Sequence, residues 1–124
     1  MIKQIAFTMY PVREMPRARR FYENDLGLVP SREAVEGAWV EYDIAEGCFA
    51  ITTLVEGVEP SASAGGSVAF EVDDVDRFVA ELKKKGVRVK VDPFSSPICR
   101  IAVILDPDGN GLTLHQATVK WGTP

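Results

Sequence analysis

Three side chains at strand positions of this chain carry acid–base or metal-binding chemistry: Glu41, Glu71 and His115, the only histidine. A carboxylate or imidazole beside an apolar wall can act as a general base, because the wall shifts its proton affinity. One histidine with two carboxylates is also a sensible ligand set for a divalent cation. The sequence does not bring any two of them within reach, so both uses stay open beside an ordinary hydrogen-bonding role for His115.

The elements that must position these side chains occur twice. An apolar strand, a helix and shorter strand-like runs span residues 2–54 and then recur over 67–116. A repeat of this kind indicates a duplicated unit. We therefore predict an α+β fold in which two tandem βαβββ modules form a curved mixed sheet. Module 1 covers about 1–55, a Gly- and Pro-bearing linker about 56–66 and module 2 about 67–118, all within one domain of residues 1–124.

Apolar stripes at helical spacing predict one helix in each module. Their members are Met15, Ala18, Phe21 and Tyr22 in the first, and Val75, Phe78, Val79 and Leu82 in the second. Pro16 suits a first helical turn, and the acidic residues at 73, 74 and 76 suit a helix start. Gly27 and Gly86 are expected just beyond the two helix ends. Arg19 and Glu23 fall on the solvent side of the first helix.

Alternation along the strands predicts which side chains face the helices and which face the interior of the curve. The residues expected under the second helix are Val68, Phe70, Val72, Leu112 and Leu114. The opposite set consists of Ser67, Ala69, Glu71, Gly111, Thr113 and His115. In the first strand Ile5, Phe7 and Met9 share a face. In the third strand Trp39, Glu41 and Asp43 alternate with Val40, Tyr42 and Ile44.

Composition excludes several function classes. The net charge is −4 and no basic stretch is present, which argues against a nucleic-acid partner. No apolar run approaches the roughly 20 residues that span a bilayer, and the N-terminus does not resemble a secretory leader, so we expect a cytoplasmic protein without a membrane partner. Cys48 and Cys99 belong to no CxxC pair and are expected to be ordinary buried or half-buried thiols.

Three motifs carry a resemblance to a known family. They are Phe-Tyr-Glu-Asn-Asp-Leu-Gly-Leu at 21–28, Val-Ala-Phe-Glu-Val-Asp-Asp-Val at 68–75, and Asp-Pro-Asp-Gly-Asn at 106–110. Their order and spacing resemble the vicinal oxygen chelate superfamily, which includes glyoxalase I, extradiol dioxygenases, and fosfomycin- and bleomycin-resistance proteins. The likeness covers nearly the whole chain. It indicates a fold and leaves the reaction open, because this scaffold hosts several chemistries as well as plain binding.

The resemblance implies a cup formed by the two modules, often completed across a homodimer. In metal-dependent members, His and Glu side chains on four inward strands hold a divalent cation that acts as a Lewis acid. The matching positions in this chain are Phe7, Ala50, Ser67 and Thr113. Phenylalanine and alanine have no ligand atom, and neutral hydroxyls are poor substitutes. We therefore expect no metal at these positions and no cofactor.

The resulting functional hypothesis is a homodimeric small-molecule binding protein of the glyoxalase/bleomycin-resistance type. Its metal-free cup would hold a mostly apolar, neutral or cationic ligand. The residues assigned to the cup are Phe7, Met9, Trp39, Glu41, Phe49, Ser67, Phe94, Arg100, Thr113 and His115. Arg100 was assigned because it could fix a carboxylate, with a surface salt bridge as the equal alternative.

Two other readings stay open. One is an enzyme of this superfamily (a lyase, isomerase or dioxygenase-like protein) that uses a relocated metal or a general base drawn from Glu41, Glu71 and His115. The other is a dimeric partner module whose cup is unused. The natural ligand, any catalysed reaction and domain swapping in the dimer are not determined by the sequence.

Overall fold

The computed structural model describes residues 1, 3, 5–54, 58–63, 66–97 and 99–118. The chain divides into two compact units, Met1–Ser61 and Ala62–Pro124. The division falls inside the segment 56–66 that was predicted as a linker; residues 56, 57, 64 and 65 of that segment lie outside the described residues. The predicted fold class is confirmed as α+β, with one four-stranded mixed sheet in each βαβββ module.

The first unit contains strands β1 (Thr8–Pro11), β2 (Arg32–Ala34), β3 (Trp39–Ile44) and β4 (Gly47–Thr52). Helix α1 (Met15–Arg19) follows β1 and continues as a π-helical segment, Arg20–Asp25. The sheet order is β1-β4-β3-β2, and β1 is parallel to β4 while the other pairs are antiparallel. Phe7 precedes β1, so the first strand begins later than its alternation pattern suggested.

The second unit repeats this plan with β5 (Val68–Glu71), α2 (Val75–Lys84), β6 (Val89–Ser95), β7 (Cys99–Leu105) and β8 (Gly111–Ala117). The order is β5-β8-β7-β6, and β5 is parallel to β8. In both units the first strand therefore lies beside the last one. Among the described residues, no helix is both long and apolar enough to cross a bilayer.

The helix signals in the sequence are confirmed. The α2 stripe is buried at Val75, Val79 and Leu82, while the Asp74 carboxylate accepts a hydrogen bond from the Arg77 amide at 3.0 Å. Gly86 follows the helix with a φ of +83°. In the first unit the Leu26 amide donates to the Phe21 carbonyl, an i→i+5 bond that makes this segment a π-helix.

An aromatic cluster beneath the first helix is linked by hydrogen bonds to two charged side chains of that helix, and the sequence did not predict this arrangement. Tyr22, Tyr42 and Phe49 pack together at ring separations of 5.3 to 6.4 Å. The Tyr42 hydroxyl donates to Glu23 at 2.8 Å, and Glu23 also accepts from Arg19 at 2.6 Å. Arg19 and Glu23 are therefore 28% and 22% exposed, which corrects the expectation that they stay in solvent. Burial and the Glu23 hydrogen bond raise the pKa of Tyr42.

Each sheet has one face toward its own helix and one face away from it. In unit 1, Tyr42 and Phe49 lie on the helix side because they contact Tyr22. In unit 2, Gln116 lies on the helix side because its side-chain oxygen accepts from the Val75 amide at 2.9 Å. We call the other side of each sheet its open face. The cross-strand register then places every strand residue on one face or the other.

The hairpin between β2 and β3 holds two non-glycine residues, one of them β-branched, in a left-handed conformation. Val35 and Glu36 have φ values of +51° and +54°, ahead of Gly37 at +83°. Amide hydrogen bonds from Gly37 to Ala34 and from Ala38 to Val35 close two successive turns. Glycine and asparagine enter this region easily, whereas a β-branched side chain does not. Val35 is 60% exposed, so its packing contacts offset little of the backbone strain energy.

We expect Val35→Asn to raise the free energy of unfolding by about 1 kcal/mol, because asparagine relieves the left-handed strain. Urea denaturation followed by circular dichroism measures the change. Val29→Asn is the matched control, since Val29 is 76% exposed and lacks a positive φ. A less stable V35N protein, or an equal gain in both variants, would contradict the strain argument.

Candidate functional site

The open face of unit 1 carries an ion-paired network centred on Arg32. Its guanidinium donates to Glu41 at 2.6 Å and to both oxygens of Asp43 at 2.6 and 3.0 Å. The second Glu41 oxygen accepts from the Trp39 indole nitrogen at 2.8 Å. These residues meet because β2 pairs Arg32 with Glu41, and β3 places Trp39, Glu41 and Asp43 on one face. The network combines two carboxylates and one guanidinium, with a formal charge of −1.

Hydrogen bonding lowers the proton affinity of both carboxylates. The Trp39 indole and then the Arg32 guanidinium hold the pKa of Glu41 below its ordinary value. Arg32 does the same for Asp43. A carboxylate with a lowered pKa and both oxygens engaged is a weak proton acceptor. Glu41 is therefore better suited to binding and orientation than to the general-base role considered from the sequence.

The same network tests a relocated metal site in unit 1. In the part of the chain that the structure describes, ligand atoms of Glu41, Asp43 and Cys48 lie within 4.8 Å of one another. The Arg32 guanidinium contacts all three side chains, at 4.0 Å in the case of the Cys48 sulfur, so the charge that a cation would supply is already present. Burial and the neighbouring Glu41 raise the pKa of the Cys48 thiol, which disfavours the ligating thiolate. These residues do not fit a metal.

Apolar side chains flank the network on the same face. Phe7 packs edge-on against Trp39 at a ring separation of 5.0 Å, with 45% of Phe7 exposed. Met9 is half-buried and aligns with Ala50 across the β1–β4 pair. Phe49 aligns with Tyr42 and is 3% exposed on the helix side. This placement corrects the assignment of Phe49 to the cup, because its position next to Ala50 puts it on the other face.

The open face of unit 2 carries a carboxylate–imidazole pair. Parallel pairing of β5 with β8 sets Glu71 beside His115, and a Glu71 oxygen lies 2.5 Å from Nδ1 of the imidazole. The other Glu71 oxygen accepts from the Ala117 amide at 2.9 Å. That amide first, and then His115, lower the pKa of Glu71. Two of the three candidate acid–base residues are thus brought together by the register.

Apolar residues adjoin this pair. Ile101 lies beside His115 on the other flank, and Phe94 lies beside Ile101 with 47% of its surface exposed. Thr113 aligns with Ala69 and Val103 on the same face and is half-buried. Ser67 precedes β5 and is exposed.

Arg100 lies on the helix side of this sheet. Its guanidinium forms a two-pronged salt bridge with Asp76 of α2, with both distances at 2.9 Å. Arg100 also aligns with Gln116, the side chain that caps α2. Of the two roles considered from the sequence, the surface salt bridge is the one found. The assignment of Arg100 to the cup is corrected, because adjacent strand residues face opposite ways.

The positions that hold the metal in metal-dependent relatives do not suit one here. Ala50 is fully buried on the open face, and Phe7 offers only an aromatic ring. Thr113 and Ser67 supply neutral hydroxyls, which bind hard or borderline cations weakly without charged partners. Within the described residues of unit 2, Glu71 and His115 are paired without a third His, Cys, Asp or Glu ligand atom grouped with them.

A cavity of about 410 Å³ opens beside the start of α2. Its lining residues are Glu71, Val72, Asp73, Asp74, Arg77, Phe78 and Glu81. Asp74 is already used as the helix cap. Four carboxylates against one guanidinium make this rim negative, which disfavours phosphate and sulfonate groups nearby.

Comparisons with known proteins agree with this architecture. Residues 4–114 match the model of the Glyoxalase/Bleomycin resistance protein/Dioxygenase superfamily. TnmS3, an antibiotic binding protein from Streptomyces sp. CB03234, is 27% identical with a TM-score of 0.80, over 94% of this chain and 98% of its own. A glyoxalase/bleomycin resistance protein from the same organism is 28% identical with a TM-score of 0.76, over 91% and 100% of the two chains. No curated protein gives a significant match.

Arg32→Gln is expected to raise the pKa of Asp43 toward its ordinary 3.8 and that of Glu41 part of the way to 4.5, because Arg32 is the largest cause for Asp43 while Trp39 still donates to Glu41. Carboxyl NMR titration measures both. Lowered native values stabilise the fold above the ordinary pKa, so the stability gap between wild type and variant should begin to narrow below about pH 4.5 and close once the pH falls past the lowered native values. Arg100→Gln, which removes the partner of Asp76, should leave both carboxyls unchanged; unchanged titrations in R32Q would refute the assignment.

Proposed function

We propose that this chain, which belongs to the Glyoxalase/Bleomycin resistance protein/Dioxygenase superfamily predicted from its motifs, is a small-molecule binding protein that works without a metal. The observation that carries the proposal is the chemistry of the open faces. Ala50 and Thr113 stand where metal-dependent relatives have ligands, one in each unit, and in unit 1 Phe7 and Trp39 pack edge to face as a part-exposed aromatic surface. Such a surface binds by removing apolar area from water rather than by coordination.

The polar groups of the open faces indicate the class of ligand. Glu41 and Asp43 outnumber Arg32, and Glu71 is 61% exposed beside His115. This balance favours a mostly apolar molecule that is neutral or cationic over a phosphate or sulfonate. Similarity at 27% identity to TnmS3, an antibiotic binding protein, supports a drug-like ligand of this kind.

We further propose that the protein acts as a cytoplasmic homodimer. Ile5, Phe7 and Phe94 are 84%, 45% and 47% exposed, and a second copy is a common way to cover such apolar surface. Cys48 and Cys99 are both free thiols, as in proteins of reducing compartments.

A second candidate function, enzymatic acid–base chemistry, is favoured by one observation. The Glu71–His115 pair has the geometry of a base with an orienting carboxylate, and its imidazole is 28% exposed on the open face. No other titratable side chain in the described residues is aligned with His115 on that face, so the binding function has the broader support.

The proposed binding function predicts a charge preference. With Trp121 replaced by Phe, so that Trp39 is the only tryptophan, 2-naphthylmethylammonium should change the fluorescence and bind tighter than 2-naphthalenesulfonate. Calorimetry should give the same order, with EDTA having no effect. Glu41→Gln or Glu71→Gln should weaken binding of the ammonium compound several-fold, as expected for loss of about 1 kcal/mol of electrostatic attraction.

Asp92→Asn is the matched control for that experiment. Asp92 bonds Lys83 of α2 at 2.9 Å, so this change removes one carboxylate from the helix side and should leave binding unchanged. Tighter binding of the sulfonate, or loss of binding in EDTA, would reject a metal-free cation-tolerant site.

Elemental analysis of purified, tag-free protein should give substoichiometric zinc, nickel, manganese and iron, because the described open faces lack a complete ligand set. His115→Ala serves as the diagnostic variant. A full equivalent of metal in the wild type that disappears in H115A would establish a relocated site and place the enzyme function first. Metal retained equally by both proteins would show a site that does not depend on His115.

A further inference from the structure

Four side chains form a row across the open face of the second sheet. The register aligns Glu71 with His115, His115 with Ile101, and Ile101 with Phe94. The row thus changes from a carboxylate through an imidazole to two apolar groups. An imidazole in this position borders an apolar surface on one flank and is held by a carboxylate on the other.

The contacts of Glu71 fix the tautomer of the imidazole. An ionised carboxylate only accepts hydrogen bonds, so the proton between Glu71 and the ring belongs to Nδ1 of His115. The Ala117 amide engages the second carboxylate oxygen at 2.9 Å and keeps the group in place. A histidine bound in this way presents the lone pair of Nε2 as an acceptor.

The imidazole is partly accessible to a ligand. The His115 side chain is 28% exposed, and Glu71 is its polar partner within the described residues. Two half-buried side chains adjoin the imidazole. Ile101 lies opposite His115 on β7, and Thr113 lies two residues before it on β8. A hydrogen-bond acceptor next to apolar surface binds most tightly a ligand that has one hydrogen-bond donor and is otherwise apolar.

We propose that His115 determines ligand specificity, with Nε2 accepting a hydrogen bond from an acidic hydroxyl, such as a phenol, on an apolar ligand. Glu71 is the positioning residue that keeps the proton on Nδ1. This inference rests on the proposed binding function and adds the functional group that is recognised. A ligand whose hydroxyl is methylated leaves the acceptor unpaired and also has to fit an extra methyl group, so it binds less tightly.

The first test compares 2-naphthol with 2-methoxynaphthalene by calorimetry at about pH 8. Wild-type protein should bind the naphthol about tenfold more tightly, the effect of one well-formed hydrogen bond. His115→Phe should bind the two compounds equally, and His115→Gln should recover part of the preference through its amide oxygen. Asp92→Asn should behave as wild type.

The second test reads the tautomer directly. Because the chain has one histidine, a long-range ¹H–¹⁵N spectrum reports His115 without ambiguity. The proton should reside on Nδ1 in the wild type and redistribute toward Nε2 in Glu71→Val, with the hydroxyl preference falling in the same variant. A purely structural role for Glu71 would leave the tautomer unchanged.

The outcomes separate this inference from the proposed function. Equal binding of both naphthalenes by wild-type protein, or a wild-type proton on Nε2, overturns the role of His115 while leaving a binding protein. Absence of binding for both compounds and for 2-naphthylmethylammonium overturns the binding function and this inference together. A preference that survives in H115F assigns hydroxyl recognition to another residue and overturns the inference alone.

Discussion

The second sheet depends on one buried turn. Asp106 is fully buried, and its carboxylate accepts from the amides of Asp108 and Asn110 and from the Asn110 side chain at 2.8 to 2.9 Å. Gly109 completes the turn with a φ of +88°. The turn fixes the offset between β7 and β8, and a slip of one residue would exchange their faces. His115 would then point toward α2, and the Glu71 pair would be lost.

The helix side of each sheet buries large apolar side chains, so many of the polar strand residues lie on the open face. In unit 1, Tyr42 and Phe49 pack against Tyr22 of the first helical segment. In unit 2, Leu112 and Leu114 are fully buried. The open faces keep polar groups that already have partners. Glu41 accepts hydrogen bonds from Arg32 and Trp39, so the open face of unit 1 presents oriented dipoles and delocalised charge rather than an isolated carboxylate. Pre-paired groups of this kind cost less to desolvate than free ions.

The features of the fold that depend on a few neighbouring residues were predicted well from the sequence. The α2 stripe, the Asp74 cap and Gly86 act within a few residues, and strand alternation correctly separated Val40 and Tyr42 from Trp39 and Glu41. The partners of polar side chains depend on register between distant segments, which alternation does not give. The Arg32 network was missed for this reason, and the surface salt bridge considered for Arg100 was predicted without its partner, Asp76. Phe49 was misplaced because its strand was buried on both faces and lacked a clear alternation.

Equivalent sheet positions of the two units carry different side chains, which gives the two open faces different chemistry. Ala50 and Thr113 correspond, since each lies on the last strand opposite the first-strand residues Met9 and Ala69. Counting along the same registers, Glu41 of β3 matches Val103 of β7, and Thr52 matches His115. Unit 1 therefore has a carboxylate on β3 and a threonine on β4 beside the first strand, whereas unit 2 has a valine on β7 and a histidine on β8 beside Glu71 of its first strand. The shared Ala50/Thr113 position carries neither a histidine nor a carboxylate in either unit, and the polar groups of the two open faces form their hydrogen bonds at different places on equivalent sheets.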